Sequence, residues 1–170
     1  VAKARQERKM LDVAALDLKK KVPYNRFKEG IDVSRYQGII DWDQVAGSYL
    51  ISYAYLKATE GASLVDKTYA RNLKEAKRVG LSVGSYHFYR PNISWQEQFD
   101  NLTSVVKRDE QDLIPIIDIE HRGRVSGKKF IADLEKFIKK VTKYYGKKPL
   151  LYTFHNFYNK YYVALTMARD

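Results

Sequence analysis

The stretch Leu113 to Glu120, L-I-P-I-I-D-I-E, limits what this chain can fold into more than any other. Five apolar or proline residues come first, and then two carboxylates, Asp118 and Glu120, two positions apart. A continuous isoleucine-rich run of this length reads as a strand buried on both faces, the kind found in parallel sheets covered by helices. Residues i and i+2 of a strand share a face, so the two acids stand side by side, roughly 6 to 7 Å apart at their bases. Acids so placed are costly unless they are used or neutralised. In parallel α/β folds the carboxyl ends of the strands are where ligands bind. The competing reading is a strand that runs out into solvent. The apolar run before the acids leaves the two readings about evenly matched.

The rest of the chain repeats the pattern. Gly30 to Gly38, G-I-D-V-S-R-Y-Q-G, is a short strand and a loop, with Asp32 and Ser34 on one face and Ile31 and Val33 on the other. Asp41 caps a short helix over Trp42 and Val45. Ile51 to Thr59 is a second buried strand; Tyr53, Tyr55 and Lys57 share one face, and a loop follows at Thr59-Glu60-Gly61. A helix over Asp66 to Val79 carries Tyr69, Leu73 and Ala76 and stops at Gly80. Leu81 to Phe88 is a third strand, whose Gly84 and Ser85 let neighbouring chains approach. Ser94 to Glu97 has the form of a capping box and opens a helix with Phe99, Leu102 and Val106. Ser126 starts a longer helix, with Phe130, Leu134, Phe137, Ile138 and Val141 at helical spacing, stopped near Gly146. Pro149 to Phe154 is a fifth strand. Strands alternating with helices give parallel pairs joined by right-handed crossovers. Polar residues gather at the strand ends: Asp32, Lys57 with Glu60, His87, Asp118 with Glu120, and Thr153 with His155. Groups delivered from several strand ends are the mark of a (β/α) barrel.

Composition narrows the chemistry. A chain of 170 residues holds one domain with a substantial core. With no cysteine, disulfide scaffolds, zinc–thiolate sites and a thiol nucleophile are excluded. A net charge of +11 favours a polyanionic partner such as nucleic acid, an acidic membrane surface or an acidic bacterial wall. No helix-turn-helix, RNA-binding or zinc signature accompanies the charge, so no specific nucleic acid is expected. No run is long enough to cross a membrane, and no secretory signal is present. No dinucleotide or phosphate-loop signature follows the first strand, and neither a cofactor nor a metal is expected. Residues 1–22, rich in charge with Leu11, Leu16 and Leu18, read as a lead-in or tether; residues 23–170 carry the barrel.

G-I-D-V-S-R-Y-Q-G, L-K-A-T-E-G, V-G-S-Y-H-F, P-I-I-D-I-E and P-L-L-Y-T follow one another in the order and spacing of the glycoside hydrolase family 25 lysozymes. The resemblance covers about Glu29 to Thr153, and five ordered motifs make chance implausible. It implies a flattened, TIM-like (β/α) barrel and muramidase activity on the β-1,4 bond between N-acetylmuramic acid and N-acetylglucosamine. It also implies a peptidoglycan partner, a secreted or cell-envelope location in bacteria, or a phage endolysin, and a monomer at full length. Carried over by motif, Glu120 is the general acid, and Asp118 stabilises the oxocarbenium-like transition state, orients the acetamido group or attacks as nucleophile. Asp32 sits at the same cleft, and Tyr86, Tyr152, Lys57 and His121 are expected to meet substrate or position it. The two carboxyls titrate as a coupled pair whose repulsion separates their pKa values.

Several residues have plainer readings. His87 is twice as well explained as a hydrogen-bonded structural histidine than as a ligand. Lys57 reads as an ion-pair partner inside the barrel, with Asp32 as its candidate carboxylate, and Glu60 as a loop-structuring residue. Lys128, Lys129, Lys139, Lys140, Lys143, Lys147 and Lys148 form a wet helix face and its loop. The tyrosines at 144, 145, 158, 161 and 162 read as packing. The family also has further strands and a late aspartate after P-L-L-Y-T; Ala164 to Asp170 reads as an arguable sixth strand, and the seventh, the eighth and the late aspartate are not supplied. Asp170 is therefore not expected to be the natural C-terminus, unless a second chain completes the core. A silent wall-binding module and a basic nucleic-acid binder are the readings from other classes.

Overall fold

The structure is a computed structural model that describes residues 28–159. The expected lead-in of residues 1–22 and the arguable strand at Ala164 to Asp170 lie outside them. The strands are β1 (Glu29–Val33), β2 (Ile51–Glu60), β3 (Leu64–Val65), β4 (Ser82–Phe88), β5 (Ile116–Ile119) and β6 (Leu150–Thr153). The helices are α1 (Trp42–Gly47), α2 (Tyr69–Arg78), α3 (Trp95–Val105) and α4 (Gly127–Tyr145).

The sheet order is β1-β2-β4-β5-β6, every pair along it parallel, with β3 hydrogen-bonded antiparallel to the end of β2. Strand order follows chain order without reversal. Right-handed crossovers then put every helix on the same side, and the sheet curls into half a barrel. The helix side holds the core. Ala54, Leu56, Ala58, Val83, Ile117 and Ile119 point outward and are sealed by Trp42, Leu73, Leu102 and the α4 stripe Phe130, Leu134, Phe137 and Val141. That stripe recurs every three or four residues, as a helix packed on one face requires. The Ser126 hydroxyl caps its start by accepting from the Lys129 amide at 3.2 Å. The seven lysines assigned to a wet face are all exposed, and Tyr145 is buried with its hydroxyl donating to the Val106 carbonyl. Positions 161 and 162 lie outside the described residues.

Four local expectations are corrected. β5 begins at Ile116 rather than Leu113, because residues 112–115 are stitched to the start of β4: the Asp112 and Leu113 amides both donate to the Val83 carbonyl, and the Asp112 carboxylate accepts from the Val83 amide. The expected loop at Thr59-Glu60-Gly61 is the turn of a small hairpin, in which Thr59 and Glu60 pair with Val65 and Leu64. The Asn101 side chain fastens this hairpin to α3 by donating to the Gly61 carbonyl at 2.9 Å and the Leu64 carbonyl at 3.2 Å. The capping box at Ser94 does not form, since its hydroxyl turns to Gln96 instead of a backbone amide; a capping box closes at Ser34 and Gln37. Finally, what approaches Gly84 is a ring rather than a strand. A Cβ on Gly84 would stand 2.3 Å from the Tyr55 ring, and one on Gly30 would stand 2.1 Å from Tyr53.

His87 is a structural histidine on the helix side. Gln98 donates through its amide nitrogen to the Arg90 and Ile93 carbonyls, while its oxygen accepts from the Arg90 amide. That oxygen therefore accepts a hydrogen bond from His87 Nε2–H at 3.2 Å, and Nδ1 accepts from the Thr59 hydroxyl at 2.8 Å. Complete burial pushes its pKa down to about 4.

The Tyr55 ring is tethered, because its hydroxyl donates to the Ile114 carbonyl at 2.9 Å. Gly84→Ala must displace it and is expected to cost about 1–3 kcal/mol in urea unfolding. Gly47→Ala meets nothing within 4 Å and serves as the neutral control. Equal stability of both variants would contradict the packing described.

Candidate functional site

The strands' other face is the inside of the curl. Register places Lys57, Tyr86, Ile116 and Leu150 in one cross-strand row, and Glu60, Phe88, Asp118 and Tyr152 in the next. Together with Gly30, Ile31, Asp32, Tyr53 and Tyr55 on β1 and β2, residues of these rows line a cleft of roughly 280 Å³. Of the expected site residues, the structure brings Asp32, Asp118, Tyr86 and Tyr152 together on the cleft wall. Glu120 follows β5 directly and is half-buried, its charge acting on Asp118. Lys57 is buried in the row of Tyr86 but is not part of the cleft lining, and His121 is exposed just after Glu120, in contact with Arg90.

Asp118 is the unusual group. It is 9% exposed, and its Oδ1 has no hydrogen-bond partner among the described residues. Burial, with the neighbouring charge of Glu120, pushes its pKa up to about 6; Lys57 works against this, and Asp32 and Glu60 add to it. A carboxyl in this state exchanges protons near neutral pH, as acid–base or charge-stabilising chemistry requires. Burial beside Asp32 and Asp118 keeps the Tyr86 phenol protonated well beyond its usual range. It is therefore a neutral hydroxyl near two acids, with Ser34 as its hydrogen-bond neighbour.

Lys57 does not pair with Asp32. Its ammonium binds Glu60 at 2.7 Å and sits 4.9 Å over the Phe88 ring. Arg90 takes the other Glu60 oxygen and stacks on Phe88 at 4.6 Å. Burial raises the Glu60 carboxyl, but the two cations outweigh it and hold the carboxyl below its usual range. The correction has a local cause. The β2 register slips between Lys57 and Thr59, which brings Glu60 back to the lysine's side. Sequence reasoning did not assign Tyr53, Tyr55 and Arg90 to the site. The alternation of β2 put Tyr53 and Tyr55 on the Lys57 face, but nothing local marks Arg90. Among the described residues, no group of three or more His, Asp or Glu is placed to hold a metal.

Residues 31–170 match the profile of glycosyl hydrolases family 25. The uncharacterized protein YegX of Escherichia coli K12 is 35% identical over 143 residues, which is 82% of this chain and 53% of that protein. Lysozyme M1 of Streptomyces globisporus is 39% identical over 97 residues, 55% of this chain and 33% of that protein. The structure of a family 25 glycosyl hydrolase from Bacillus anthracis superposes with a TM-score of 0.72 at 31% identity, covering 81% of this chain and 65% of that one. The chain thus spans about half the length of YegX and about a third of Lysozyme M1.

The raised Asp118 pKa has a stability consequence with a definite sign. Its folded value of about 6 exceeds the ordinary 3.8, so between these values the folded state binds more protons than the unfolded chain. Stability therefore falls as pH rises through that window. Asp118→Asn removes this cost and is expected to stabilise the protein by about 1–3 kcal/mol at pH 7. The gain should fade on acidification to about pH 4. Thermal unfolding across that range checks it; a gain that does not change with pH would contradict the ionisation described.

Proposed function

The chain belongs to glycosyl hydrolases family 25, and from that premise we propose that it is a muramidase cutting the β-1,4 bond between N-acetylmuramic acid and N-acetylglucosamine in peptidoglycan. The observation that carries the reading is the buried Asp118 on the wall of a cleft it shares with Tyr53, Tyr55, Tyr86 and Tyr152, with the charge of Glu120, two residues on and just past β5, acting on it. Aromatic faces suit sugar rings, and the paired acids supply the two roles that glycoside hydrolysis needs. Glu120 gives a proton to the leaving oxygen. Asp118, ionised above about pH 6, faces the positive charge that develops at the anomeric carbon. Asp32 adds negative charge from the opposite wall, and Tyr86 donates a hydrogen bond to a carboxylate or a sugar oxygen.

The raised pKa of Asp118 favours one second reading, in which the resting proton sits on Asp118 and the roles exchange. An aryl glycoside with an acidic leaving group separates the two, because such a leaving group needs no general acid. The curled sheet is read as the first part of a flattened, TIM-like barrel. Leu150, Leu151, Tyr152 and Phe154 are exposed at its β6 edge, a surface that further strands outside residues 28–159 would cover. The protein is read as acting on the wall from outside the cytoplasm or as an endolysin, and as a monomer at full length. No helix among the described residues is long and apolar enough to cross a membrane.

Mass spectrometry of digested peptidoglycan is expected to show new reducing ends at muramic acid. Reducing ends at glucosamine, peptide cleavage or intact wall would each reject the muramidase. Glu120→Gln should lose several orders of magnitude on wall but much less on the activated aryl glycoside, whereas Asp118→Asn should lose activity on both. The reverse pattern would exchange the roles. Acids two residues apart across the end of β5 leave little room for an intervening water, so the first-formed anomer should be β, seen by NMR; an α product would exclude retention.

A further inference from the structure

Asp118 keeps a buried oxygen unpaired although an ammonium lies close enough to act on it. A carboxylate and a buried lysine so placed would ordinarily join, since each charge is stabilised by the other. What prevents the pairing is visible across the sheet. Glu60, Phe88 and Asp118 occupy one cross-strand row. Glu60 takes the Lys57 ammonium on one oxygen at 2.7 Å and the Arg90 guanidinium on the other. Both cations rest on the Phe88 ring, 4.9 and 4.6 Å from its centre. The ring therefore stands between Glu60 and Asp118 with a cation held on it. Glu60 is itself fixed at the hairpin turn that Asn101 clamps to α3.

We propose that Glu60 is a positioning residue: it holds Lys57 on the Phe88 ring and off Asp118, so that the Asp118 carboxylate is left unpaired for chemistry. The inference rests on the muramidase reading for what the free carboxylate does, but the charge arrangement is a property of the folded chain. Without Glu60, Lys57 has two other acids within electrostatic reach, Asp66 and Asp118. Asp66 is already satisfied by the Thr68 hydroxyl and the Thr68 and Arg35 amides. Asp118 has an open oxygen, so the lysine turns there and quenches it. The groups facing Asp118 are Asp32 from β1, Lys57 and Glu60 from β2, Tyr86 from β4 and Glu120 after β5, with Tyr152 beside it on β6. Arg90 and His121 lie farther out, joined to each other at 3.2 Å.

Removing Glu60 also deletes a negative charge, which alone lowers the Asp118 pKa, so the test is a double-mutant cycle with Lys57. The Asp118 carboxyl is titrated by carbon NMR on the full chain, with Asp118→Asn identifying its signal. Glu60→Gln is expected to lower the midpoint by about one pH unit or more, and to lower it by less than half as much in the Lys57→Met background. Equal shifts in the two backgrounds, or no shift, would overturn the proposal. Glu60→Asp keeps the charge but cannot span both cations; it should give an intermediate midpoint and serves if Glu60→Gln does not fold. On wall, Glu60→Gln should lower kcat about tenfold or more with little change in KM and move the acid limb of the rate profile downward. The titration needs no turnover, so its failure is distinct from failure of the muramidase reading, which the product analysis decides alone.

Discussion

Ile117 and Ile119 are driven against the helices, where they are 0% and 1% exposed. The two-residue period of a strand then sends Asp118, between them, to the opposite face. The packing that secures β5 is therefore what desolvates the carboxyl. The same logic holds for β2, where Ala54 and Leu56 anchor the strand and Tyr53 and Tyr55 floor the cleft. Because the sheet is wound in one direction only, the helices cover one face and leave the other for chemistry.

Charge is organised on both faces, and the two respond oppositely to acid. His87 is buried neutral on the helix side with its pKa near 4; stability tied to it is present above pH 6.5 and is lost as pH falls toward 4. Asp118, raised to about 6 on the cleft side, regains stability over nearly the same interval as it takes up a proton. The two effects offset one another, so the whole protein's acid response understates the strain at each site. The cleft side tolerates an unpaired carboxyl because its nearest ammonium is held by Glu60 and Phe88.

Much of this was legible in the sequence where local pattern and global fold agree. The isoleucine run gave away β5, the stripe from Phe130 to Val141 gave away α4, and strand alternation put Asp118 on the face opposite the core. What was not legible depends on register and on contacts between distant segments. Lys57 was matched with Asp32 while strict strand alternation puts Glu60 on the opposite face; the slip in β2 that returns Glu60 to its side has no sequence signal. The rings of Tyr53 and Tyr55 reach across to Gly30 and Gly84, their partners on neighbouring strands. Each glycine is visible in the sequence, but the pairing is not. The start of β5 was placed too early because an apolar run does not show that the amides of Asp112 and Leu113 are already committed to Val83.

The proposed function makes one spatial claim: a saccharide lies on the aromatic inner face of the curled sheet. Titration of the isotope-labelled protein with a soluble N-acetylglucosamine oligomer, followed by NMR, tests that claim directly. The account predicts perturbations concentrated at Gly30, Tyr53, Tyr86, Asp118 and Tyr152, with the helix face of α4 unmoved. Perturbations centred on the α4 lysines, or none at millimolar sugar, would contradict it.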